Sequence, residues 1–215
     1  AGATHPPPRL VQVRGDLGPG HHDGAAAVAD HAAVETMQRV GHWLDLAQVE
    51  GGSQYCYNPY PGTDAGQQRR GLVPNRAMSA EGLLMRMYLG WDRDNPAMIR
   101  GADHLRANLP QFGTSEAPLR DVYYWYYATQ VMYQMQGDYW TAWNDRLRPM
   151  LKDSQLQEGP LSGSWDPKHP APDRWAHTGG RLYITSLNLL MLEVYYRHLP
   201  LFKTLVADTA VADRE

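Results

Sequence analysis

The sequence predicts an all-α fold. Apolar residues recur at helical spacing in six separate stretches, no stretch alternates as a half-buried strand does, and Gly and Pro punctuate the gaps between them. With 20 Gly and 16 Pro in 215 residues the chain asks for many turns, yet it falls short of a disordered composition.

Residues 1–24 hold Pro6-Pro7-Pro8 and five glycines without a helical period, which predicts an extended, polyproline-like arm or linker. His21-His22-Asp23 is read as a solvated turn before the first helix, because no second ligand cluster stands nearby to complete a metal site. From Ala25 to about Gln48, Val28, His31-Ala32, Glu35, Val40, Trp43-Leu44 and Ala47 follow a helical interval, and Gly51-Gly52 ends the run. Residues 53–76 predict a long loop or lid, a length that usually signals function or packing on a partner.

The second helix is expected to open at Ser79 and close at Gly90, with Leu83-Leu84 and Met87-Tyr88 on its apolar face. The third begins at Asn95-Pro96, the favoured cap and first-turn pair, and runs to Leu109-Pro110. Helices over 119–135, 139–155 and 181–198 follow, with a Pro/Gly-rich loop over 156–180 between the last two. The run Asp121 to Tyr127 has strand propensity, but its continuation through Met132 is helical. Glu193, inside an apolar face, is expected to pair with Arg197 one turn on.

Charge and composition exclude several functions. Twenty Lys and Arg against 23 Asp and Glu give a net charge of −3, and no basic stripe marks a phosphate-binding surface, so no nucleic-acid partner is expected. No apolar run reaches the roughly 18 residues that cross a bilayer. One cysteine, Cys56, makes neither an internal disulfide nor a Cys-rich zinc site, so redox chemistry leaves the compartment open. The start at Ala1 without a signal-peptide core leads to the expectation of a processed or excised segment, with an upstream anchor or domain left open. Of the 22 aromatic residues only 2 are Phe, against 13 Tyr and 7 Trp, and such rings favour surfaces with one dry and one wet side.

A short pattern occurs twice. Trp43-Leu44 leads to Gln48, then Gly51-Gly52 and Tyr55; Met150-Leu151 leads to Gln155, then Gly163-Ser164-Trp165. His104-Leu105 to Leu109-Pro110 is a fainter copy. In physical terms a helix ends on a Gln that caps backbone groups, a glycine turns the chain, and an aromatic ring covers the joint. Helix pairs of this kind stack.

These residues resemble the Gln-Trp repeats of the terpenoid cyclase and protein prenyltransferase superfamily. Gly163-Ser164-Trp165, Arg174-Trp175 and Arg181 to Leu187 are similar to the carboxy-terminal repeat of squalene-hopene cyclases. Ala80 to Trp91, Tyr123 to Gln130 and Leu192 to Pro200 resemble the squalene-cyclase-like repeat proteins of planctomycete-type bacteria. The resemblance covers about residues 37–202 and implies an α/α toroid. Six helices in three pairs make a partial one, because a full ring takes about twelve. The expected organisation is an arm over 1–24, a toroid domain over 25–202 and a tail over 203–215.

The resemblance does not bring its chemistry with it. Asp92-Arg93-Asp94-Asn95 departs from the cyclase Asp-x-Asp-Asp acid motif at its last position, which leaves Asp94 as a candidate acid. No Asp-rich magnesium motif is present. Tyr124 stands by eye where prenyltransferases carry a zinc-binding His, so neither metal nor cofactor is expected. Asp121, Asp166, Asp173, His177 and Arg181 are expected to gather at one rim, where Asp121 with His177 is a candidate acid/base pair. The alternative is structural: Asp121 caps its helix, Asp166 makes an Asx-turn before Pro167, and Arg181 pairs with a carboxylate.

The preferred reading is a non-catalytic module that binds other protein subunits or its own copies. Its binding surface would be Tyr123, Tyr126, Tyr127, Gln130, Tyr133 and Tyr183, while Trp43, Gln48, Gln155, Gly163, Trp165 and Trp175 serve the joints. The alternatives are a terpenoid-cyclase-like enzyme or isoprenoid-lipid binder, which would take an apolar small molecule, and a glycan-binding or glycan-cleaving toroid.

Overall fold

The structure, a computed structural model, describes residues 23–60 and 71–197, and the side chains of the first helix from Ala32 onward. The expected arm with His21 and His22, the middle of the long loop over 53–76 and the tail lie outside the described residues. The fold is mainly helical. It divides into two compact units, Ala1–Gly101 and Ala102–Glu215.

In the first unit α1 (Asp23–Ala47) runs into a two-residue strand β1 (Gln48–Val49), a 3-10 turn (Glu50–Gly52) and strand β2 (Gln54–Tyr55). The strands pair antiparallel, Gln48 opposite Tyr55. This pair is absent from the sequence-based expectation, because two residues per strand leave no alternation to read. Gly51 and Gly52 take positive φ of 64° and 87°, which the tight reversal requires. Leu44 and Ala47 are the buried end of α1, whereas Trp43 beside them is exposed over 38 % of its surface, so the joint closes on the leucine and not on the tryptophan.

Helix α2 is Arg76–Tyr88, three residues earlier than expected from Ser79. Asn75 is the cap: its side-chain oxygen accepts the Met78 N–H at 3.0 Å. Ser79 instead serves the joint, its hydroxyl accepting the Tyr55 N–H at 3.1 Å. Helix α3 (Pro96–Arg106) starts at the Asn95-Pro96 pair, with the Asn95 side chain accepting the Ala97 N–H at 2.9 Å, and carries the boundary between the units.

In the second unit α4 (Val122–Met135), α5 (Gly137–Ser154), α6 (Ala176–Leu192) and the one-turn α7 (Val194–Arg197) follow. The run Asp121 to Tyr127 is helical from Val122, and α4 packs on both α5 and α6. Its start is later than the expected 119 because Leu119 is held extended, its N–H bonded to the Phe112 carbonyl at 2.9 Å. Trp125, Tyr124 and Trp143 are fully buried. The Thr129 hydroxyl donates to the Trp125 carbonyl at 2.6 Å and accepts the Trp143 indole N–H at 2.9 Å, so the α4 and α5 cores share one polar pin. The last long helix begins at Ala176 and not Arg181, with a break at Gly180 (φ 60°, ψ −162°), and ends at Leu192. Glu193 takes its C-cap. It forms no ion pair with Arg197 among the described residues; the Arg197 N–H donates instead to the Glu193 carbonyl at 3.2 Å. None of the described helices is long and apolar enough to cross a membrane.

Candidate functional site

The loop over 156–180 is tied down at several points, and its anchor is Arg120, a residue that sequence reasoning did not single out. Buried to all but 2 % of its surface, Arg120 donates from Nη1 to the carbonyls of Asp166 (2.8 Å), His169 (2.7 Å) and Ala171 (3.4 Å). Burial lowers its pKa against the pull of Asp173 and Asp166. Its guanidinium lies 5.7 Å from the Phe112 ring centroid, a cation–π contact. Three carbonyls converging on one cation fix a proline-rich loop that has little regular structure of its own.

The carboxylates close the arrangement from the other side. Asp173 accepts the Val122 N–H at 2.9 Å and the Trp175 N–H at 2.8 Å, so one buried side chain joins the loop to the start of α4. Burial raises its pKa, opposed by those two bonds and by Arg120. Asp121 caps α4 through the Tyr124 N–H at 3.1 Å and faces the exposed Arg174 at 3.7 Å. Asp166 accepts the Lys168 N–H at 2.7 Å, an Asx-turn across Pro167, and pairs with Arg181 at 2.7 Å. Although burial pushes its pKa up, the Lys168 and Arg181 bonds outweigh it and hold the carboxyl below its ordinary value. The expected gathering thus includes Asp121, Asp166, Asp173 and Arg181. His177 is exposed and shares no ion pair with these groups among the described residues; Asp94, also exposed, belongs to the first unit.

The tyrosines proposed as a binding surface divide in two. Gln130 and Tyr133 are buried, the amide of Gln130 reaching back to the Tyr126 carbonyl at 3.4 Å. Tyr123, Tyr126, Tyr127 and Tyr183 are half-buried; Tyr123 and Tyr126 both stand edge-on to Tyr127. Of the joint residues, Trp165 is sealed, Gln155 donates to the Gly163 carbonyl at 2.9 Å, and Trp175 is 38 % exposed beside Arg174.

Against this pinned loop lies an open-sided cleft of about 630 Å³. Its floor is one side of α5, where Asp145, Pro149 and Asp153 follow one another at four-residue steps with Met150 beside them. Phe112, Leu156, His169, Pro170 and Asp166 form the opposite wall. The loop side of that wall is the part that Arg120 holds by its carbonyls. Four-residue recurrence on a helix was the available signal for the floor, but in the sequence it reads as an ordinary solvated face. The wall comes from loops far apart in the chain and has no sequence signature. Among the described residues no group of three or more His, Cys, Asp or Glu side chains is placed to hold a metal ion. Comparison with protein-family models, curated proteins and solved structures finds no match for this chain.

Proposed function

We propose that this chain is a non-catalytic helical module that binds a partner protein as part of a larger assembly, and that an extended stretch of the partner lies in the cleft along α5. The observation that carries the reading is the cleft itself: a preformed open-sided groove of about 630 Å³ with one wall made of helix and the other of a loop fastened by buried charges. Asp121, Asp166 and Asp173 are each spent on backbone N–H groups or arginines, which is the work of holding a wall in place. A groove running along a helix suits a chain laid lengthwise. The fold reading goes with it: two helix joints of one pattern support three helix pairs of a squalene-cyclase-like, partial α/α toroid.

The test is selection of short peptides from a random displayed library on the whole chain, repeated on Met150→Lys, which places a long cation on the cleft floor. Peptides enriched on the wild type and lost on the variant are expected. No enrichment, or equal enrichment on both proteins, overturns the reading.

A further inference from the structure

Resting on that reading, we infer that the cleft takes an extended basic peptide, with two cationic side chains about four residues apart and apolar residues between them. The α5 floor carries two carboxylates, with Arg146 of the same helix lining the cleft beside the first. Asp145 and Asp153 are exposed, line the cleft and have no ion-pair partner among the described residues. Eight residues of helix separate them by about 12 Å along the axis.

Between them Pro149 contributes a second kind of acceptor. Lacking an N–H, it cannot donate to the carbonyl of Asp145 four residues earlier, so the floor carries a backbone oxygen without its helical donor beside a free carboxylate. The Ser154 hydroxyl, lining the far end, already gives its proton to the Met150 carbonyl at 2.7 Å and presents lone pairs only.

Two of the nearby cations are held by other groups. Arg146 directs Nε to the Pro110 carbonyl at 3.0 Å, and Arg181 neutralises Asp166. Between the two carboxylates the helix presents Pro149 and Met150, and Leu156, Phe112 and Pro170 add further apolar lining to the cleft. A ligand matching this surface needs donors at both ends and a greasy centre. An extended polyproline-type chain rises about 3.1 Å per residue, so four residues span the distance between the two carboxylates.

The experiment uses a fluorescein-labelled Arg-Pro-Leu-Pro-Arg peptide and measures anisotropy on titration with the full chain. Binding is expected to weaken with added salt. Asp145→Asn and Asp153→Asn, both surface changes, are each expected to weaken it about two- to fivefold, and the double variant roughly tenfold. Glu-Pro-Leu-Pro-Glu is expected not to bind. Equal affinity for the acidic peptide, or an affinity unmoved by the double variant, overturns the inference. The displayed-library selection separates the two failures: cleft-dependent peptides without basic residues end this inference and leave the module standing, whereas no cleft-dependent peptide ends both.

Discussion

The two helix joints, one in each unit, solve the same problem with different chemistry. In the first, Leu44 seals the end of α1, Gln48 pairs with Tyr55 across a glycine turn, and the Tyr55 N–H donates to Ser79 on the next helix. In the second, Leu151 seals the end of α5, Gln155 bridges Trp165 across a turn containing Gly163, and the Trp165 N–H donates to Thr185 at 3.2 Å. What differs is how the aromatic ring is satisfied. The Tyr55 hydroxyl accepts Arg86 Nε at 3.1 Å, and Arg86 goes on to Asp45 at 2.5 Å, stacked 4.8 Å from the Trp91 ring centroid. Trp165 donates its indole N–H to the Leu151 carbonyl at 2.8 Å, with no charge involved. One scaffold therefore accepts either a charged or a neutral lock, provided that the ring is buried and its polar atom has a partner.

The largest expected effect is at the neutral lock. Trp165→Ala empties a sealed site and should destabilise the second unit by about 3–5 kcal/mol in urea unfolding. Trp165→Phe, which keeps most of the packing and loses the indole bond, should cost about 1–3 kcal/mol. If the two variants cost the same, the ring's volume is not what holds this joint.

A contrast in sign comes next. Three residues after Ser79 stands Gly82, where an added Cβ would lie 2.3 Å from the Tyr55 ring; three residues after Thr185 stands Asn188, fully buried, with neither amide atom hydrogen-bonded. Gly82→Ala should cost about 1–3 kcal/mol by forcing ring and helix apart. Asn188→Leu should instead stabilise by about 1–2 kcal/mol, since it replaces an unsatisfied buried amide with a side chain of similar size. Calorimetric melting of both variants checks the pair, and a loss at Asn188 would reveal a partner for that amide.

The hydroxyls should behave alike. Ser79→Ala and Thr185→Val each remove one acceptor for an aromatic residue's N–H and should cost about 1 kcal/mol. Unequal costs would mean that the joints share a pattern but not an energy.

The smallest effect is electrostatic. Asp166 has a folded pKa below its unfolded one, so its contribution is complete above the ordinary carboxylate range and is lost as pH falls through the lower folded value. Being partly exposed, the pair with Arg181 should contribute less than about 1 kcal/mol. Stability of the second unit measured at neutral pH and in acid should converge slightly with that of Asp166→Asn as the pH drops.

The joints were the most legible part of the sequence. Leu and Gln four residues apart, followed by a glycine turn and an aromatic, are local requirements, each met by residues close in the chain. Helix starts were less legible where a cap competes with a helix former: Asn75 takes the start of α2 from Ser79, and Phe112 holds Leu119 out of α4. Arg120 was invisible because its three partners lie some fifty residues away, in a loop whose path periodicity does not reveal. The floor of the cleft was legible only as spacing on α5. Its meaning depends on Phe112 and Pro170 being brought opposite, which no local pattern encodes.

Cys56 follows Tyr55 directly, is buried, and gives its N–H to the Ala47 carbonyl at 2.9 Å. As the one cysteine in the chain, it makes the first joint a clock. An alkylating reagent can reach that sulfur only while this segment is open, so the labelling rate counts openings of the chain that carries Tyr55, including its pairing with Pro74. Substitutions in the second joint that leave this clock untouched would show two locks that open independently; those that speed it would show that opening one loosens the other.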